Sequence, residues 1–252
     1  MKWISLYKQS SVKQTGVGLL LGIIAFLLCF TLAVLSIVYS PSVYQTAYKK
    51  GCVDPSCEID GDNFTVFYTY ITDIITGSED LCDADTCNDA KIKINGNWQS
   101  SLQSDDALLL SSFHGVYFAY LIIFIVSLII IVSTLVIISI KGKKTAISNT
   151  AIWMLTSYIC CMIFIFLIVA VCYFTGNAVV FGFFKLFSMD GILTYNSGNL
   201  GMLFGRITQE VFVSAVLKNL LVFGGVILVA IVTLVNLKFK KNKDINEDFL
   251  YQ

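Results

Sequence analysis

Four long apolar runs alternate with polar segments along the chain. The runs cover residues 17–40, 115–140, 150–175 and 216–237. Each run is long enough to cross a bilayer as an α-helix, because a helix rises about 1.5 Å per residue and the hydrocarbon core is about 30 Å thick. The pattern therefore predicts an all-α membrane protein, a bundle of four transmembrane helices.

The longest polar segment, residues 41–114, has a pattern typical of β-structure. Residues 64–71 are rich in aromatic and β-branched side chains, which favour strands. Residues 91–94 alternate polar and apolar, and Asn95-Gly96 then supplies the pair that two-residue hairpin turns prefer. We therefore expect a small β-rich domain between the first two spans.

The same segment contains four of the eight cysteines, in two Cys-x4-Cys pairs: Cys52 with Cys57, and Cys82 with Cys87. A domain of about 70 residues needs additional stabilisation, which two disulfides provide in an oxidising compartment. The spacing leaves the connectivity open. A zinc site of four thiolates is the alternative, at the edge of the usual ligand spacing.

Charge is unevenly distributed although the net charge is zero. Lysines without acids occupy residues 1–16 and 141–149, residues 238–243 carry four lysines, and residues 41–113 carry twelve acids against four lysines. Because lysine-rich short flanks stay in the cytoplasm, both termini are predicted inside, with residues 41–114 and 176–215 outside. Asn63 then becomes a glycosylation site, as it opens the chain's Asn-Phe-Thr sequon.

The apolar runs lack the groups that catalysis and ion transport need. Lys218 is their only charged residue, and His114 is the only histidine of the chain. Neither cluster of acids in residues 41–114 matches the twelve-residue calcium loop. We therefore expect no enzymatic activity, no cofactor and no metal, and the neutral net charge argues against nucleic-acid binding.

Two sets of residues are candidates for helix or protein contacts. Gly18 and Gly22 are four residues apart in the first run, a spacing that lets a neighbouring helix approach closely. The second outer loop carries apolar side chains on a segment expected to face water, which indicates a surface covered by the first outer loop, by the lipid interface or by another protein. The residues predicted to contact a partner there are Phe184, Phe187, Met189 and Ile192.

This order of elements resembles the claudin and peripheral-myelin-protein superfamily of four-span proteins. The resemblance rests on the topology and on Leu102-Gln103 and Ala107-Leu108, which precede the second run as a similar stretch does in claudins. The family's Trp…Gly-Leu-Trp…Cys…Cys signature is missing, and Trp98 follows the loop cysteines.

The resemblance implies a non-enzymatic protein of the plasma membrane or another secretory-pathway membrane. Besides the lipid bilayer, its partners would be other membrane proteins in cis or trans, or a second copy of the chain. An auxiliary subunit of a channel or receptor is the alternative. A membrane thiol-redox enzyme is a third hypothesis, although the sequence lacks the Cys-x2-Cys pair of such enzymes.

Overall fold

Helices make up nearly all of the part of the chain that the computed structural model describes. The described residues are 10–51, 61–78, 91–94, 97–100, 104–141, 144–174 and 206–248. The helices are α1 (Val12–Val38), α2 (Pro41–Gly51), α3 (Gly61–Thr76), α4 (Ser104–Lys141), α5 (Lys144–Phe174) and α6 (Arg206–Asp248). Two short strands, β1 (Lys91–Ile94) and β2 (Asn97–Ser100), complete the described elements.

Four of these helices contain stretches long and apolar enough to cross a membrane. The stretches are Val12–Val38, Phe113–Ile140, Ala146–Val171 and Val211–Asn236, within α1, α4, α5 and α6. The prediction of four membrane-spanning helices is confirmed. Two helices begin before their spans, α4 at Ser104 and α6 at Arg206, so both continue beyond the membrane-spanning stretch at their amino ends.

The prediction of a strand over residues 64–71 is wrong, because these residues belong to α3. The buried side chains of α3 recur at helical spacing: Phe64, Phe67, Ile71, Ile74 and Ile75 are each at most 7% exposed. A continuous apolar stripe on one helical face outweighs the preference of aromatic and β-branched residues for strands. In the described residues of this segment, helices and one hairpin therefore stand where a β-rich domain was expected.

The hairpin forms where the alternating pattern predicts it. Strands β1 and β2 pair antiparallel, with Lys91 opposite Ser100 and Ile94 opposite Asn97. Asn95-Gly96 lies between the two strands, as the turn chemistry requires. Two strands of four residues are the whole of the β-structure in the part of the chain that is described.

The chain divides into two compact units, which we name by their cores. The aromatic unit comprises residues 33–122 and 171–219, and the bundle unit comprises residues 1–32, 123–170 and 220–252. The core of the aromatic unit contains Ile37, Tyr44, Ala47, Tyr48, Phe64, Phe67, Ile71, Ile74, Ile75 and Leu110. The first turns of α6 pack against this core through Val211, Phe212, Ala215 and Val216, which explains why α6 begins before its apolar run.

The bundle unit is built around the first half of α5. Nine of the eleven residues from position 148 to position 158 are buried, so neighbouring helices surround this segment on nearly all sides. Several of the buried residues are polar, among them Ser148, Asn149, Thr150 and Ser157. The Ser148 hydroxyl donates a hydrogen bond to the carbonyl of Val235 in α6. Such bonds between side chain and backbone hold helices together where the surroundings are apolar.

The carboxyl end of α3 is closed by a Schellman motif and a histidine. Gly77 adopts a positive φ of 77°, its N–H donates to the carbonyl of Ile74, and the Ser78 N–H donates to the carbonyl of Asp73. The two bonds of the motif do not use the carbonyl of Ile75. His114 Nδ1 of α4 donates a hydrogen bond to this carbonyl, with 3.0 Å between nitrogen and oxygen. The end of α3 is thereby fixed to the beginning of the second span.

Gly77→Ala should destabilise the protein by about 1–3 kcal/mol, because a non-glycine residue is strained at positive φ. In addition, the new Cβ would lie 2.8 Å from His114 Cε1. Gly115→Ala is the matched control, since a Cβ there meets nothing within 4 Å. Thermal unfolding of both variants in the same detergent compares them. Equal stability of the two variants would contradict the account of this junction.

Candidate functional site

Helix α2 follows α1 almost without a break because Pro41 stops one helix and starts the next. Helix α1 ends at Val38, and Pro41 occupies the first position of α2, where its fixed φ fits and its missing N–H costs nothing. The Ser40 N–H donates to the carbonyl of Ile37 at 2.9 Å, and the Val43 N–H donates to the carbonyl of Ser40 at 3.0 Å. The chain thus turns from a span into α2 within two residues.

Helix α2 has one buried and one exposed face. Tyr44, Ala47 and Tyr48 are at most 4% exposed and belong to the aromatic core. The exposed polar side chains, which we call the α2 face, are Ser42, Gln45, Thr46, Lys49 and Lys50. The two lysines lie in the last turn, where they offset the negative end of the helix dipole.

Aromatic contacts fix α2 on the rest of the aromatic unit. The ring of Tyr44 packs edge-on against Tyr68 of α3 and Phe212 of α6, with centroids 5.2 and 5.4 Å away. The Tyr68 hydroxyl donates to the carbonyl of Val38 at 2.9 Å, at the end of α1. The α2 face is therefore presented by a helix that packs against α3 and α6, and α3 is in turn bonded to the end of α1.

The tyrosines of this core are not suited to acid–base chemistry near neutral pH. Burial raises the pKa of Tyr44 well above its usual range, with a smaller contribution from the neighbouring Tyr68. Burial also raises the pKa of Tyr48 to about 12 and raises the pKa of Tyr68. Because removing a phenol from water disfavours its charged form, all three side chains stay protonated and contribute packing.

Gly18 and Gly22 lie where α1 touches α5 in the bundle unit. A Cβ at Gly18 would lie 2.5 Å from the carbonyl oxygen of Thr150 and 2.6 Å from Trp153 Cβ. A Cβ at Gly22 would lie 2.7 Å from Ser157 Cβ and would also overlap the Met154 carbonyl. The structure brings the two glycines together on one helix contact, as their spacing predicts, and that contact lies within the chain.

A second contact of the bundle unit joins α1, α5 and α6 through Cys29 and Tyr158. The Cys29 thiol donates to the carbonyl of Leu220 at 3.7 Å, and the Tyr158 hydroxyl donates to the carbonyl of Gly224 at 3.1 Å. A Cβ at Gly224 would lie 2.9 Å from Met162 Cε. Sequence reasoning missed Tyr158, and the run of polar residues early in α5 was the available signal.

The other residues predicted to be functional are only partly placed. The loop cysteines Cys52, Cys57, Cys82 and Cys87 and the contact residues Phe184, Phe187, Met189 and Ile192 lie outside the described residues. The backbone of Asn63 lies in the first turn of α3. Cys29, Cys160 and Cys161 are free thiols. Within the described ranges, no three His, Cys, Asp or Glu side chains come together as a metal site would require.

No protein-family model, curated protein or solved structure matches the chain. The resemblance to claudins consequently rests on the order of elements and a short stretch of sequence. Within the geometry described above, the α2 face is the candidate functional surface, because its polar side chains are exposed on a helix fixed by aromatic contacts.

Gly22→Ala should destabilise the bundle unit by about 1–3 kcal/mol, the usual cost of overpacking. The atoms that meet the new Cβ include backbone atoms of α5, which cannot rotate away. Gly16→Ala is the control on the same helix, because a Cβ there meets nothing within 4 Å. Thermal unfolding in detergent measures both, and a Gly22→Ala protein as stable as the control would disprove the close contact.

The raised pKa values predict loss of stability at alkaline pH. The folded state holds the pKa of Tyr44, Tyr48 and Tyr68 above the unfolded value of about 10. Their contribution to the free energy of unfolding is therefore complete below about pH 10 and is lost as the pH rises through the pKa values of the folded state. Phenolate absorbance and circular dichroism followed together should show ionisation coupled to unfolding. Tyr48→Phe should move the midpoint upward, because it removes one of the buried phenols whose ionisation opposes the folded state.

Proposed function

We propose that the chain is a non-enzymatic, multi-pass membrane protein whose extramembrane helices bind other membrane proteins. The observation that carries the proposal is the packing of Tyr44 of α2 against Tyr68 of α3 and Phe212 of α6, together with the bond from Tyr68 to the end of α1. This attachment gives the α2 face a fixed position beside the membrane. A fixed surface binds with less loss of conformational entropy than a mobile loop does.

The nature of the described side chains supports a binding role over catalysis. The buried thiol of Cys29 and the hydroxyl of Tyr158 both donate to backbone carbonyls and thereby join helices. The tyrosines of the aromatic core are held in the protonated form. These groups contribute to the packing of the two units, and the exposed polar groups of α2 are left for recognition.

We further propose a claudin-like topology for the chain. Both termini would face the cytoplasm, and α2 and α3 would lie outside the cell or in the lumen of the secretory pathway, since lysine-rich flanks stay inside. Cys52, Cys57, Cys82 and Cys87 would form two disulfides there, and Asn63 would carry a glycan. Phe184, Phe187, Met189 and Ile192 of the second outer segment would add a second contact surface.

An auxiliary role beside a channel or receptor is the second candidate, and the exposure of one span favours it. Only 6% of the span Phe113–Ile140 is buried within the chain, against 44% of the span Val12–Val38. A span that touches so little of its own chain has most of its surface available to lipid or to a larger membrane protein. Recovery of a stoichiometric channel or receptor from mild detergent would support this role.

The α2 face is tested by charge reversal. Lys49→Glu combined with Lys50→Glu should lower the recovery of proteins crosslinked in intact cells about tenfold, the effect of a loss near 1.4 kcal/mol. Both side chains are exposed, so surface expression should stay at the wild-type level. Lys13→Glu, a single charge reversal at the other end of α1, is the control. Unchanged recovery of every partner in the double variant would remove α2 from the binding surface.

The topology is tested by protease protection and by the glycan. Tags at both termini should survive protease added to intact cells, because both ends are expected in the cytoplasm. Asn63→Gln should remove a glycosidase-sensitive increase in mass, and Asn97→Gln, outside any sequon, should not. Digestion of the carboxy-terminal tag in intact cells would refute the arrangement.

A further inference from the structure

Two large aromatic side chains of the aromatic unit are more than half exposed near the ends of two spans. Tyr39, the residue after α1, is 58% exposed, and Phe118 of α4 is 54% exposed. The hydroxyls of Tyr39 and Tyr117 are 2.8 Å apart, so the end of α1 and the beginning of the second span lie at the same level. The ring of Phe118 also stacks on His114, with centroids 6.3 Å apart.

Between α2 and the second span, the exposed surface changes from polar to apolar at this level. Beyond Tyr39, the exposed side chains of α2 are Pro41 and the polar residues of the α2 face. Among the side chains of α4 that the structure describes, the large exposed apolar ones begin at Phe118 and continue with Ile122, one turn further along the helix. A boundary between water and hydrocarbon is the environment that matches such a change.

We propose that Tyr39, Tyr117 and Phe118 form a lipid-contact belt, seated in the headgroup and glycerol region of the leaflet next to α2 and α3. Aromatic side chains concentrate at this depth because their rings are apolar while a tyrosine hydroxyl remains in reach of polar groups. The hydrogen bond between Tyr39 and Tyr117 allows both phenols to stay at the boundary without burying an unpaired hydroxyl.

Lipid fits this surface better than a partner helix does. Helices that associate in membranes use small residues at the contact, as Gly18 and Gly22 of the bundle unit do. Phe118 and Ile122 are large, and they continue the apolar surface of a span that is 6% buried. The belt therefore extends the lipid-facing surface of the span to its end.

The belt has a consequence for the extramembrane helices. Helix α2 begins two residues after Tyr39, so it starts at the level of the headgroups. This inference is independent of the proposed function, because it concerns contact with lipid alone. A belt at this depth places the first turn of α2 at the bilayer surface. The two residues between α1 and α2 leave no room for a flexible connection between these helices.

Site-specific photocrosslinking in lipid tests the belt. A benzoyl-phenylalanine at position 39, 118 or 122 of the full chain is irradiated in nanodiscs of phosphatidylcholine, and the adducts are identified by mass spectrometry. Val66 of α3, which is 57% exposed, provides the extramembrane control position, and Ile129, which is 56% exposed and lies within the span, provides the deep one. Gel filtration selects protein that is monodisperse before irradiation.

Lipid adducts at positions 39 and 118 should exceed those at position 66 several-fold and should map to the glycerol or upper acyl carbons. Position 122 should react further down the acyl chain, which gives a second measurement that does not depend on the folding of one variant. Adducts with a second copy of the chain at positions 39 and 118 would overturn the proposal. Yields no higher than at position 66, or reaction only at acyl chain ends, would overturn it too.

Discussion

Contact between Tyr44 and its neighbours connects the extramembrane part of the protein to the membrane-spanning part. One ring of α2 touches Tyr68 of α3 and Phe212 of α6, and Tyr68 in turn bonds to the carbonyl at the end of α1. Helices as short as α2 and α3 are marginal by themselves, because most helical stability in proteins comes from packing of an apolar face. The orientation of the α2 face therefore depends on this cluster of rings.

Each of the two units is stabilised internally by a different kind of interaction. The aromatic unit buries large rings, as expected where water drives apolar surfaces together. The bundle unit relies on glycines and on hydroxyl or thiol groups that donate to carbonyls of neighbouring helices. Between membrane helices the hydrophobic effect offers no gain, so close backbone approach and hydrogen bonds carry the association.

Sequence patterns predicted the features that a single stretch of chain determines. The four spans follow from length and apolarity, and the hairpin follows from the alternating residues 91–94 and Asn95-Gly96 after them. The glycine contact followed from the spacing of Gly18 and Gly22. Each of these depends on local chemistry, which the order of residues displays directly.

Features that depend on distant segments could not be predicted in the same way. Helix α3 was mistaken for a strand because its residues favour strands individually, while the deciding burial comes from α2, α4 and α6. The bond of His114 to Ile75 requires knowing that α3 ends beside α4. Tyr158 was overlooked because its bond requires knowing that α6 lies beside α5, and the polar residues early in α5 indicate only which part of that helix is buried.

The charges of the α2 face limit the kind of partner that it can bind. Lys49 and Lys50 are exposed in the last turn of α2, so the surface is positive, and an acidic partner is favoured. Exposed charges are screened over about 8 Å at physiological salt, which makes their effect on the association rate larger than their effect on affinity. The shape of the α2 face at Ser42, Gln45 and Thr46 must then supply the remaining specificity. Because α2 is already fixed by Tyr44 and Tyr48, a partner can use that shape without first ordering the helix.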